Sequence, residues 1–160
     1  MSMDLSFVTE EGKLNVRACA VILHEGKILA MRDERSPYYY LPGGRVQMGE
    51  TAEEAVLREL SEELDIETKI ERPLWLNQAF FTEDVDHLRY HELGFYFLMD
   101  VTKSDLFSRG QSFLGTEEKH SHIFEWLPFE KLKELYFYPE FLKTAITDLP
   151  EAFTLRTEME

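Results

Sequence analysis

Cysteine is almost missing from this chain: Cys19 stands alone among 160 residues, so no disulfide can form within it. That residue falls in the apolar stretch Val16 to Leu23, which reads as a core thiol rather than a nucleophile. Positive charge is scarce too, with 17 lysines and arginines against 31 aspartates and glutamates and a formal net charge of −14. Nucleic-acid binding relies on basic surface that displaces counterions, so DNA is not expected as a partner. No apolar run approaches the ~20 residues of a membrane-spanning helix, and none is expected to contact a membrane. The opening MSMDLSFVTEEGKLN lacks the basic start and apolar centre of an export signal, which leads to the expectation of a cytoplasmic protein. Walker and dinucleotide glycine loops are absent. His120 and His122 alternate around Ser121 without the cysteine or helical histidine partners of a zinc site, so they read as ordinary polar positions.

The remaining pattern suits one domain over residues 1–160, with 154–160 as a flexible tail. Residues 16–33 read as two strands turning at Glu25-Gly26, and a short strand near Tyr39 to Leu41 follows. Residues 67–82 and 88–101 read as a long β pair, 102–120 as a loop and 121–127 as another strand. Phe129 to Leu135 and Pro139 to Leu149 read as helices entered at prolines.

Most of the chemical information lies between Gly44 and Ile66, GRVQMGETAEEAVLRELSEELDI. At about 100° per residue, Glu59, Glu62 and Glu63 share one sector of a helix, and Val56, Leu57, Leu60 and Leu64 form an adjoining apolar stripe. Glu54, Arg58 and Ser61 fall opposite, while the small Ala52 and Ala55 leave room above the acidic sector. Thr51 and Glu54 make a capping box. Crowded carboxylates repel one another, and a hard cation such as Mg²⁺ relieves that repulsion through oxygen ligands. Leu41-Pro42-Gly43-Gly44 delivers a tight glycine loop to the start of this segment.

The spacing resembles the Nudix box: Gly44, five residues, Glu50, seven residues, then Arg58-Glu59-Leu60-Ser61-Glu62-Glu63. Six fixed polar positions match by chance on the order of once in ten million placements. One position departs, since Asp65 stands where the family has a helix-ending glycine. The order of elements implies the family's α/β/α sandwich with a mixed sheet and a loop-helix-loop motif.

The resemblance implies a Mg²⁺- or Mn²⁺-dependent pyrophosphohydrolase acting on a small phosphorylated nucleotide. It names Glu59, Glu62, Glu63 and the Gly43 carbonyl as metal ligands, and Glu50 braced by Arg58 as the support of the loop. Glu62 and Glu63 are also catalytic candidates, and a general base from outside the box falls on Glu117 or, in first place, Glu118. Arg32 and Arg35, just before the glycine loop with its Gly43 and Gly44, are the candidate phosphate contacts, with Arg17 as a third arginine to weigh. Tyr38, Tyr39 and Tyr40 offer a face for a base or serve packing. The segment from Phe124 to Leu132 followed by Tyr138-Pro139 resembles the ADP-ribose and general nucleotide-hydrolysing branches. ADP-ribose or a similar ADP-linked sugar therefore ranks first, a nucleoside triphosphate second and a capped RNA third. A nucleotide sensor without catalysis is the rival of another class, disfavoured because every box glutamate is present. A homodimer is compatible with the sequence.

Overall fold

A computed structural model describes residues 2–117 and 121–160, so Glu118 and His120 lie outside the described residues. Along the chain come β1 (Ser6–Thr9), β2 (Gly12–Val21), β3 (Leu23–His24), β4 (Lys27–Asp33), β5 (Gly43–Arg45) and α1 (Ala52–Leu64). They are followed by β6 (Lys69–Thr82), β7 (Arg89–Asp100), β8 (Ser112–Leu114), β9 (His122–Pro128), α2 (Leu142–Ala145) and β10 (Thr154–Met159). Single 3-10 segments occupy Leu106–Ser108 and Phe129–Glu134.

Two sheets result. One has the order β1-β2-β7-β6-β10, with β5 also paired to β2, and the other has the order β3-β4-β9-β8. The β2–β7 and β6–β10 pairs are parallel and the other pairs antiparallel, giving a mixed α/β fold. Residues 18–22, ACAVI, are almost wholly buried, as a central strand covered on both faces requires. Alternation divides them between two cores. Ala18, Ala20 and Ile22 pack with Val56, Leu60 and Leu64 of α1, whereas Cys19 and Val21 pack with Leu132, Phe141 and Leu142 of the C-terminal elements. Helical elements thus cover both faces. Cys19 is buried, and its burial pushes the thiol pKa up, consistent with an inert core thiol.

Several expectations need correction. The turn at Glu25-Gly26 is present, with both residues at positive φ, yet it joins β3 to β4; β2 begins earlier and belongs to the other sheet. Tyr39 and Tyr40 make only isolated bridges, to Phe137 and Met31, and the strand lies two residues further on as β5. The loop at 102–120 contains a 3-10 turn and β8. The two C-terminal helices shrink to a 3-10 segment and a single α turn. Residues 154–160 are not a frayed tail, because β10 pairs in parallel with β6 from Thr154↔Trp75 to Met159↔Phe80. On α1, Ala55 is fully buried in the core rather than lining a ligand space, and Leu57 is exposed.

Candidate functional site

The acidic helix is held in place by its sequence at both ends. Thr51 Oγ1 accepts from the Glu54 N–H and the Glu54 carboxylate accepts from the Thr51 N–H, both at 3.0 Å, completing the capping box. Asp65 ends the helix at φ 51°, ψ 51°, a left-handed conformation in which glycine is unstrained and aspartate is not. The carbonyls left open there are met from elsewhere: Arg109 Nη1 donates to Leu64 O at 2.7 Å, and the Thr116 N–H donates to Glu63 O at 2.8 Å. Arg109 also brings positive charge to the negative end of the helix, which has no basic residue of its own in its last turn.

The glycine loop lies directly on this helix. The Gly43 N–H donates to Glu63 Oε1 at 3.0 Å. A Cβ on Gly44 would overlap the Glu59 carboxylate, so glycine lets the loop backbone approach without displacing that side chain. Arg58, which the helix wheel turned away from the acidic sector, instead clamps loop and helix together. Its Nε donates to Glu50 Oε2 at 2.8 Å, its Nη1 to Glu59 Oε1 at 2.9 Å and its Nη2 to the Arg45 carbonyl at 3.1 Å. Those bonds hold the Glu50 carboxyl below its usual range and the guanidinium pKa above its own.

Glu63 is the buried member of the acidic face, 3% exposed, while the Glu62 side chain is about half exposed. Burial first, and the Glu59 charge second, push the Glu63 carboxyl well above the usual carboxylate range; the Gly43 N–H and Arg17 oppose this. Glu59 is raised as well, by burial, against the pull of Arg58. Glu63, Glu117 and His122 bring one potential ligand atom each to within 4.8 Å of one another. Buried carboxylates crowded by like charge form an oxygen-rich donor set that fits a hard divalent cation. The cluster consists of Glu63, Glu117 and His122; Gly43 touches it through Glu63, Glu59 acts on Glu63 as a neighbouring charge, and Glu62 stands half exposed, bonded to Arg58. Gly115 explains how Glu117 reaches it: a Cβ there would stand 2.7 Å from Phe124 Cε2 and 3.0 Å from Glu63 O, so the bare backbone can pass over the helix end and bring Glu117 in. His122 was read from sequence as an ordinary polar residue, but it shares the inward face of β9 with Phe124 and Trp126. The alternation HIFEW held that signal.

A cavity of about 500 Å³, within the size range of small-molecule sites, is linked to Glu63 through Arg17 and Tyr40, which line it and interact with that carboxyl electrostatically; Gly43, Gly44 and the box glutamates are not among its lining residues. Arg17, Arg35 and Arg45 line it, together with a larger number of acidic residues, among them Asp33, Glu83, Glu92 and Glu158. Arg35 Nη2 donates to Asp33 Oδ2 at 2.8 Å and Tyr40 OH donates to the same oxygen at 2.9 Å, so despite burial the Asp33 carboxyl lies below its usual range. Arg32 is on the other face of β4: it is exposed, lies over the Tyr39 ring at 5.7 Å and does not line the cavity. Tyr39 goes with it, its hydroxyl donating to Glu125 at 3.0 Å. Tyr38 and Tyr40 do line the cavity, and burial, then Glu83, push the Tyr38 hydroxyl up to about 12, so it stays a neutral donor.

The NUDIX domain family model matches residues 13–148. The chain belongs to the Nudix family. An ADP-ribose pyrophosphatase of Methanocaldococcus jannaschii is 31% identical over 115 residues, which cover 70% of this chain and 62% of that protein. A Bacillus subtilis protein provisionally named an 8-oxo-dGTP diphosphatase is 36% identical over 72 residues, 44% of this chain and 48% of that one. The chain therefore spans 62% and 48% of the lengths of these two relatives. The MutT protein of Methanosarcina mazei Go1 shares the fold, with a TM-score of 0.61 at 20% identity over 84% of this chain and 91% of that one. In this Nudix chain the box helix, its glycine loop and the Glu50–Arg58 clamp form one unit, and the family's helix-ending glycine is replaced by a left-handed Asp65 backed by Arg109.

Proposed function

We propose that the chain is a divalent-metal-dependent pyrophosphohydrolase that cleaves the diphosphate of a nucleoside diphosphate joined to a second group, ADP-ribose or a similar ADP-linked sugar. Its products are a nucleoside monophosphate and the phosphorylated remainder. The observation that carries this reading is the buried Glu63 carboxylate, bonded to the Gly43 N–H, crowded by Glu59 and Glu117, and linked through Arg17 and Tyr40 to a cavity that three arginines line.

Glu59, Glu62, Glu63 and the Gly43 carbonyl would hold Mg²⁺ or Mn²⁺. Bound there, the ion supplies positive charge opposite the phosphate oxygens as negative charge grows on them. The chain's own groups do the rest. Arg58 and Glu50 keep loop and helix in register. Arg17 lies on the cavity floor and its charge favours the ionised forms of Glu59, Glu63 and Glu92 alike, a position suited to the diphosphate between helix and pocket. Arg35 meets the phosphates from the other wall. A water oxygen bonds to phosphorus as the anhydride P–O bond breaks, and Glu117 or Glu118 takes the proton from that water.

Nucleoside triphosphate hydrolysis is the second reading, favoured by the name of the Bacillus subtilis relative. Incubation with ADP-ribose, other nucleotide sugars and nucleoside triphosphates in the presence of Mg²⁺, followed by separation of products, tests both. Release of AMP and ribose phosphate supports the first reading; release of inorganic pyrophosphate from triphosphates alone replaces it with the second. Binding without turnover of any of them would mark a sensor.

A further inference from the structure

The cavity floor carries polar groups that the phosphate chemistry does not use. Across the sheet, strand register sets Asn15 beside Glu92, Glu92 beside Ala79 and Ala79 beside Glu158. The next row along reads Arg17, Gly94, Asn77 and Arg156. Ala79, at the centre, is small and lines the cavity, while the space over Gly94 is taken by the Tyr96 ring, which lines the cavity as well. Asn15 and Asn77 both line the cavity and are 3% and 2% exposed.

Their amide orientations are fixed by their partners. Asn15 Nδ2 donates to Glu92 Oε2 at 2.7 Å, and Asn77 Nδ2 donates to Glu158 Oε1 at 3.2 Å. An ionised carboxylate only accepts, so the end of each amide turned toward it must be the nitrogen. Two buried oxygens remain, Asn15 Oδ1 and Asn77 Oδ1, with no hydrogen-bond partner among the described residues. Buried acceptors in folded proteins are nearly always met, so an unmet pair on the floor of a ligand-sized cavity calls for a donor from the ligand. Tyr38, Phe81 and Tyr138 line the same cavity and offer aromatic surface for a planar partner.

We propose that Asn15 and Asn77 form a nucleobase subsite that accepts hydrogen bonds from an amino-bearing base, adenine, guanine or cytosine, and discriminates against uracil. Uracil has no amino group and a single N3–H between two carbonyl oxygens, so it could meet at most one of the two oxygens and would turn an acceptor toward the other. The subsite deepens the functional reading above and rests on it for the identity of the ligand as a nucleotide.

Two measurements test it separately from that reading. Calorimetric titration of the full chain with AMP, GMP, CMP and UMP needs no turnover, and at least one amino-bearing monophosphate is expected to bind ten-fold or more tighter than UMP. In Asn15→Ala and Asn77→Ala this preference should shrink at least several-fold, and in hydrolysis the loss should fall on KM. Equal binding of UMP and the amino-bearing monophosphates overturns the subsite, as it would if buried water alone satisfied the two oxygens. A preference that survives both substitutions in folded protein also overturns it. If either variant fails to fold, Asn15→Ser and Asn77→Ser replace it, and the wild-type base preference still decides. Base-selective binding without cleavage of any nucleotide would support the subsite while overturning the hydrolase reading; cleavage without base preference would do the reverse.

Discussion

Asp65 shows how one residue can be locally unfavourable in a well-made helix. At φ 51° it holds the conformation that the usual glycine adopts freely, and it places an acid at the negative end of the dipole. Asp65→Gly should stabilise the fold by about 1 kcal/mol or less, the strain relief being partly offset by the greater freedom of glycine in the unfolded chain. Turnover should hardly change, and a lower melting temperature for the glycine variant would contradict this account of the cap. Asp33 has the opposite character, since its buried carboxylate accepts from Arg35 and Tyr40. Its pKa is depressed on folding, so the stability it adds is present above the unfolded value near 3.8 and is lost as pH falls through the lower folded value. Asp33→Asn should cost about 2 kcal/mol near neutral pH, and the gap between the two melting curves should close as the pH drops below about 4. A gap independent of pH would show that the charge is not what matters. Arg35 and Arg32 give a further contrast: Arg35→Ala should raise KM several-fold for the best substrate, whereas Arg32→Ala, on the outer face with Tyr39, should leave it near wild type. Steady-state kinetics that reverse this order would move the phosphate contact to the other wall.

At the scale of elements, the box helix was legible in sequence because local rules and spacing agreed there: the capping residues, the apolar stripe and the clustered glutamates all lie within one segment. Elements whose identity depends on distant partners were harder to read. Strand β10, TLRTEM, is mostly polar and exposed, and only its pairing with β6 and the Glu158 contacts to Asn77 and the Phe141 N–H make it a strand. The wheel alone turned Arg58 away from the acidic sector, because it cannot show the loop folding back over the helix; the Glu50 partner expected from the family resemblance is the one Arg58 has. Glu117 came within reach of the acidic locus only through Gly115 and Thr116 docking on the end of α1, a long-range contact. That docking can be tested. Gly115→Ala inserts a methyl against Phe124 and the Glu63 carbonyl and should destabilise the protein by about 1–3 kcal/mol while lowering kcat, because Glu117 is carried on the displaced segment. Wild-type kcat with lowered stability would detach Glu117 from the chemistry.

Over the whole molecule, two cores hold the sheets between helical elements and place three features together: an acidic helix under a glycine loop, an arginine-lined cavity and a polar sheet floor. Within an acidic chain, Arg17, Arg35 and Arg45 supply the positive charge of a cavity that carboxylates also line, so a phosphorylated substrate would rely on those three residues and on the metal. No helix among the described residues is long and apolar enough to cross a membrane. The account depends most on Glu63 being a metal-holding carboxylate rather than part of a solvated acidic face, and Glu63→Gln examines that with little change of shape. Turnover and melting temperature of this variant should be measured with and without saturating Mg²⁺. Without metal its stability should hold or rise, since a buried charge beside Glu59 has been removed, and with metal its turnover should fall at least about 10²-fold, roughly 2.7 kcal/mol of transition-state stabilisation. Near-normal turnover in a folded Glu63→Gln protein would contradict the account.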